Sequence, residues 1–176
     1  MAQLVKRRFE AESDKPFQYI EIGDVSQAGH AESKKVPGEE APSRAQWVVK
    51  VGDVITSTVR PIRQLSALIE PEQDGYVCSS GFAVLKSTAI EPEVLLVYLR
   101  LPVVCEILDL HTSASMYPAI STTDLLSVPI PIPAEEVRAR MVELVQESRR
   151  NRLEARHLLE EAKRRVEEMM LGKEWE

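Results

Sequence analysis

The stretch that most constrains this chain is Val128-Pro129-Ile130-Pro131-Ile132-Pro133, because the residues before it and after it call for different kinds of structure. Three prolines in six positions remove three ladder donors, so the segment cannot be a central strand. It reads as an extended edge or a polyproline-like connector. Beyond it, Pro133-Ala134-Glu135-Glu136 makes a good helix start, with proline early and acids at the positive end of the helix dipole. No proline or glycine follows until Gly172. At a rise of 1.5 Å per residue the predicted helix is a rod of roughly 55 Å, longer than one small domain can cover.

One face of that rod carries Met141, Leu144, Val145, Ser148, Arg152, Ala155, Leu158, Leu159, Ala162, Val166 and Met169 at heptad-like spacing. The apolar members are the expected helix interface. Ser148, Asn151 and Arg152 make the middle of the seam polar, so it is not a pure leucine zipper. The outward face alternates blocks of Glu and Arg, which are expected to pair at i,i+4.

Upstream, residues 1–16 are polar and charged and read as an arm or a short edge element. Tyr19-Ile20-Glu21-Ile22 reads as a strand ending at Gly23-Asp24. Residues 26–46 show no period and are expected to form a long loop, the kind of segment that more often carries function than idles. The β-branched density of Trp47 to Val51 and Val54 to Val59, around Gly52-Asp53, predicts strand–turn–strand. Leu65 to Ile69 and Tyr76 to Leu85 are two more expected strands, separated by a turn at Pro71 to Gly75. Pro92 and Pro102 each open a short helix, and the Ser/Thr-rich segment 111–123 is expected to be a loop. The fold class is therefore α+β: a β-rich domain with short helices over residues 1–133, followed by one long helical segment over 134–176.

Composition narrows the function. A formal charge of −6 argues against indiscriminate nucleic-acid binding. Between Lys34 and Arg63, however, six basic residues (Lys34, Lys35, Arg44, Lys50, Arg60, Arg63) face three acids (Glu39, Glu40, Asp53), a local basic zone on an acidic body. No apolar run is long enough to span a membrane, and Lys6-Arg7-Arg8 is not followed by the apolar stretch of a signal peptide. A cytoplasmic location is expected. The two cysteines, Cys78 and Cys105, read as buried free thiols.

The chemistry of an enzyme is missing from the sequence. The one asparagine, Asn151, lies in the predicted rod, and no Asn-Pro-Pro-aromatic or Asp-Pro-Pro-aromatic element of an adenine methyltransferase occurs. Glycines are scattered singly, with no phosphate-binding loop, and there is no Gly-x-Ser-x-Gly. Glu161-Ala162-Lys163 resembles half of a nuclease motif but has no upstream carboxylate to match. No catalytic residue, metal ligand or cofactor is expected.

Several blocks resemble the target-recognition domain of type I restriction–modification specificity subunits. They are Gly52 to Pro61, Ser79 to Leu85, Ser115 to Ser121 with Asp124-Leu125-Leu126, and Pro129 to Pro133. Arg7-Arg8-Phe9-Glu10-Ala11-Glu12 looks like the entry to such domains, although Ser13-Asp14 stands where aromatic residues are expected. The resemblance runs from about Arg7 to Leu171. It implies a DNA-reading domain, then a helix that packs on another helix and docks a modification methyltransferase subunit, with a restriction subunit as a further partner. A full specificity subunit looks like two recognition domains and two helices in tandem, so one of each looks like a half subunit. Such a half would work as a homodimer through the helix or paired with a second specificity chain, on a bipartite site.

Under that resemblance the expected DNA-binding residues are Lys34, Lys35, Arg44, Gln46, Arg60, Arg63, Gln64, Ser115, Met116 and Tyr117. The arginines offer paired donors to guanine, while Gln27, Gln46 and Gln64 match adenine. The expected helix interface is Met141, Leu144, Val145, Ala155, Leu158, Leu159, Ala162, Val166 and Met169. Two positions carry equal structural expectations: Arg60 as an ion-pair partner of Asp53 or Glu21, and Tyr117 as a lock of its loop against the core. The competing reading of the whole is a non-catalytic adaptor that uses the rod as a coiled-coil partner and binds no DNA.

Overall fold

The structure is a computed structural model and describes residues 2–113 and 116–171. It is α+β and divides into two units, residues 1–133 and 134–176.

The first unit is built on two four-stranded sheets. One has the order β1 (Ala2–Leu4), β8 (Phe82–Ser87), β5 (Asp53–Ser57), β6 (Ser66–Leu68), all antiparallel. The other has the order β3 (Lys34–Val36), β2 (Phe17–Ile20), β7 (Val77–Ser79), β4 (Ala45–Val48). In that sheet β2 and β7 run parallel and the outer pairs antiparallel. The main core contains Ile20, Val49, Ile55, Ala67, Ile69, Cys78, Phe82 and Val84, with contributions from both sheets. Every residue of β5 is buried. The helix α1 (Pro92–Tyr98) packs on β5, β6 and β8, which explains why this strand lacks a wet face.

Two sequence expectations fail here, for one reason. The predicted hairpin 47–59 is not a hairpin, since β4 and β5 lie in different sheets. The predicted single strand 76–85 is β7 in one sheet and β8 in the other, broken at Ser80-Gly81. In both places the chain turns tightly and changes sheet. At the first, the Asp53 amide donates to Lys50 O at 2.9 Å and Gly52 takes φ +82°, a left-handed conformation that suits glycine.

The N-terminal arm makes a third crossing. Residues 2–4 pair with β8, then Val48 N donates to Arg7 O and Phe9 N to Gln46 O, both at 2.8 Å, attaching the arm to β4 of the other sheet. Segment 26–46 is not a bare loop: it contains β3, a 3-10 turn at Gly38–Glu40 and the start of β4. A side chain at Gly38 would overlap the backbone carbonyl of Glu12, so the arm presses directly on that turn.

The proline-led helices form as expected, as α1 and α2 (Pro102–Leu110). Within the expected loop 111–123, Ser121 caps a further helix, α3 (Thr122–Ser127), its hydroxyl accepting from Asp124 N at 3.1 Å. Residues 128–133 belong to no strand or helix. Cys78 and Cys105 are free and buried.

The second unit is α4 (Glu135–Met170), 36 uninterrupted residues, about 54 Å of helix. Its polar face carries Arg140–Glu143 (3.0 Å), Lys163–Glu160 (2.8 Å), Arg164–Glu168 (2.9 Å) and Arg165–Glu161 pairs. Glu161 and Lys163, the two charged members of the nuclease-like triplet, are thus ordinary surface pairs. Leu144, Leu158, Leu159, Val166 and Met169 of the predicted seam are exposed, as is Ala162. Among the described residues, no helix is long and apolar enough to cross a membrane.

Candidate nucleic-acid interface

Three of the ten predicted contact residues, Arg60, Met116 and Tyr117, meet at one place in the first unit, and two more, Arg63 and Gln64, follow Arg60 closely in the chain. After β5 the chain runs through Thr58-Val59 into Arg60, then a 3-10 turn at Pro61–Arg63, then Gln64. Arg60 (φ 51°, ψ 65°) and Gln64 (φ 59°, ψ 30°) are the only non-glycine residues with positive φ among the described residues. A Cβ in that region crowds the following carbonyl, at a cost of roughly 1–2 kcal/mol per residue.

The segment is held where it is by backbone bonds. Val59 bridges Ala119, Arg60 N donates to Pro118 O at 2.8 Å, and Ile120 N donates to Thr58 O at 2.9 Å. Thr58 N donates to Gly81 O at 2.9 Å, and its hydroxyl does so at 3.0 Å. Ser57 closes the bend, its hydroxyl donating to Val59 O and accepting from Val59 N. Pro61 is buried, and the 3-10 turn packs on α2.

Arg60 donates from Nη2 to Met116 O at 3.2 Å, and its guanidinium lies 5.4 Å from the centroid of the Tyr117 ring. Met116 is 83% exposed and Tyr117 65%, so neither locks its loop against the core. The alternative partners expected for Arg60 are taken: Asp53 pairs with Arg7 and Glu21 with Lys34. Arg63 is exposed on the turn that follows, next to Ile62 at 47%. Arg60, Met116 and Tyr117 together, with Arg63 and Gln64 on the adjoining turn, are of the residue types that offer cations for phosphate, planar donors and acceptors for base edges, and apolar surface for stacking.

The other predicted residues are distributed differently. Arg44 is exposed, and its carbonyl accepts from Ser80 N at 2.7 Å, placing it beside the Ser80-Gly81 turn to which Thr58 is bonded. Gln46 is half-buried at the bulge of β4. Lys34 and Lys35 lie on β3, the opposite edge of that sheet, with β2 and β7 between them and β4. That is about 14 Å at the usual strand spacing. Lys34 is bonded to Glu21 at 2.9 Å and sits 5.8 Å over the Tyr19 ring. The hydrogen bond to Glu21 raises its pKa above the usual lysine value. The basic zone read along the sequence therefore splits in space. Ser115 lies outside the described residues.

Sequence reasoning missed the ground between Arg44 and the 116–120 loop. A cleft of about 170 Å³ is lined there by Lys6, Trp47, Thr58, Ser80, Ile120 and Thr122, among others. Lys6, Ser80 and Thr122 put polar groups on a lining that also holds Leu4, Val5, Phe82 and Val84. The Lys6-Arg7-Arg8 cluster was the available signal, and the structure divides its roles. Lys6 faces the cleft, while Arg7 is turned to Asp53.

With the two-sheet unit and the long helix described, comparison with known proteins leads to specificity subunits of type I restriction–modification systems, which this chain resembles in sequence and fold. The chain is 24% identical over 151 residues to the specificity subunit of the type I restriction enzyme HindI of Haemophilus influenzae, which takes in 82% of this chain and 32% of that subunit. Among solved structures it matches the HsdS subunit of Thermoanaerobacter tengcongensis at 31% identity, with a TM-score of 0.72 over 95% of this chain and 44% of that one. A chain from a structure of complex assembly and conformational transition in the type I R-M system matches at 32% identity, with TM-score 0.72 over 95% of this chain and 45% of that one. This chain thus spans less than half the length of each of these relatives. No family model matches it. The resemblance drawn from the Gly52, Ser79, Ser115 and Pro129 blocks stands in both sequence and fold.

Proposed function

We propose that this chain is a non-catalytic DNA-recognition module that directs a type I modification methyltransferase to its target. The observation that carries the reading is the juncture of the 58–64 and 116–120 segments. Two stretches distant in sequence are laddered together by main-chain bonds; they bring Arg60 to Met116 and Tyr117, with Arg63 and Gln64 on the turn that follows Arg60. Its likeness to specificity subunits over nearly its whole length supports the same reading.

In this scheme phosphates are met by Arg44, Arg63 and Lys6, and base edges by Arg60 and Gln64. Lys34 and Lys35 contribute to the field from the far edge of their sheet. The exposed face of α4, with Leu144, Leu158, Leu159, Ala162, Val166 and Met169, packs on the same helix of a second copy. Two copies related by a twofold axis read a split palindrome. The methyltransferase subunit docks on the paired helices and does the covalent chemistry in the cytoplasm.

The test is co-production with a type I modification methyltransferase subunit, followed by selection from random duplex DNA. Recovery of two fixed half-sites around a constant gap, with affinity falling steeply as salt rises, is the expected result. A stable complex that retains no sequence in preference to another removes the proposal.

A further inference from the structure

We propose that Arg60 reads a guanine in each half-site and that Tyr117 is the residue that positions it, an inference resting on the DNA-recognition reading above. The argument begins with the backbone. Positions 60 and 64 hold left-handed conformations that glycine adopts without strain and that arginine and glutamine do not. Long side chains at both positions therefore carry a cost that a purely structural bend has no reason to bear. Strain of this kind collects where a side chain must be aimed.

The side chain of Arg60 is aimed. Its backbone is fixed by the Pro118 carbonyl, one N–H of its guanidinium is fixed by the Met116 carbonyl, and the Tyr117 ring lies 5.4 Å from it. All three partners come from one loop. An arginine has five N–H donors in a planar fork, so the Met116 bond leaves enough for the paired O6 and N7 acceptors of guanine. Restricting the rotamer beforehand lowers the ordering cost on binding. Arg63 offers a contrast: it is exposed, and its side chain forms no ion pair among the described residues. A phosphate contact tolerates a loosely held cation; a base edge does not. The division assigns base reading to Arg60 and phosphate contact to Arg63.

The experiment uses the full chain, co-purified with its methyltransferase, and a pool of random duplex DNA. The variants are Arg60→Gly, Arg60→Lys, Tyr117→Ala, Tyr117→Phe and Arg63→Ala. Arg60→Gly relieves the left-handed strain, so it keeps or gains thermal stability and separates reading from folding. The wild-type complex is expected to select one invariant guanine per half-site. Arg60→Gly and Arg60→Lys should relax that single position by about ten- to hundredfold, with the other positions kept. Tyr117→Ala should weaken the same preference and Tyr117→Phe should preserve it, because the ring is retained. Arg63→Ala should lower affinity evenly over all sequences. Two results overturn the inference while leaving the parent reading intact: an unchanged motif in both Arg60 variants, or an even loss of affinity across sequences. A wild-type complex without sequence preference overturns both.

Discussion

Arg7 and Asp53 stand 46 positions apart and are joined by two hydrogen bonds, Nη1 to Oδ2 at 2.7 Å and Nη2 to Oδ1 at 3.2 Å. Asp53 is almost wholly buried and accepts a further bond from Lys50 N at 2.8 Å. Arg7 also donates to Val48 O at 3.2 Å. The pair thus ties the arm to the place where the chain leaves β4 for β5.

Asp53→Asn keeps the shape of the side chain and removes its charge, leaving a partly buried guanidinium without its counter-ion. Because Arg7 is partly open to solvent, the expected loss is about 2–3 kcal/mol, below that of a fully buried pair. Denaturant unfolding measures it; a midpoint within error of wild type would show that the pair does not hold the arm.

Gly38→Ala places a methyl group against the Glu12 carbonyl, which belongs to the backbone and cannot swing aside. Residues 12–15 must lift from the 3-10 turn. The expected cost is on the order of 2 kcal/mol, with faster proteolysis of the arm as its local signature. Unaltered stability and protease resistance would place the arm elsewhere in solution.

Alkaline pH should destabilise the fold. Burial pushes the Cys78 thiol up to about 12 and raises Cys105 as well. The folded thiols stay protonated while those of the unfolded chain ionise near 8.5. Their contribution is complete below that value and is lost as pH climbs toward the folded values, at up to about 1.4 kcal/mol per pH unit for Cys78. Thermal melts between pH 8 and pH 11 should show a falling Tm with a shallower slope in Cys78→Ala, whose starting Tm is lower. Parallel slopes would exclude Cys78 as a source.

Leu158→Glu with Val166→Glu puts two charges on the exposed apolar face of α4. Sedimentation should show a dimer becoming a monomer, with helix content unchanged by circular dichroism. A dimer that survives both charges would move the pairing surface away from this face.

Proline and periodicity carried most of what was legible in advance. Pro92 and Pro102 open their helices as read, and the rod from Glu135 runs as long as its uninterrupted sequence implied. The sheet assignment was not legible. Val51-Gly52-Asp53 has the composition of a hairpin turn, and it is a tight turn. What sends β5 into the other sheet is pairing with Ser66–Leu68 and Phe82–Ser87, which no local pattern encodes. At the rim, residue type and resemblance point to Arg60, Arg63, Gln64, Met116 and Tyr117. The meeting of Arg60 with Met116 and Tyr117 depends on the bridge between Val59 and Ala119, a contact across sixty positions of chain between two residues with no signal of their own.

That bridge and its flanking amide bonds have an evolutionary corollary. Backbone atoms fasten the rim, so codons 63 and 117 can be rewritten without dismantling its support, and codons 60 and 64 wherever the new residue tolerates a positive φ and keeps its amide N–H. If the proposed recognition role holds, a lineage bearing this architecture can acquire a new address in the genome through a handful of substitutions while the machinery downstream stays as it was.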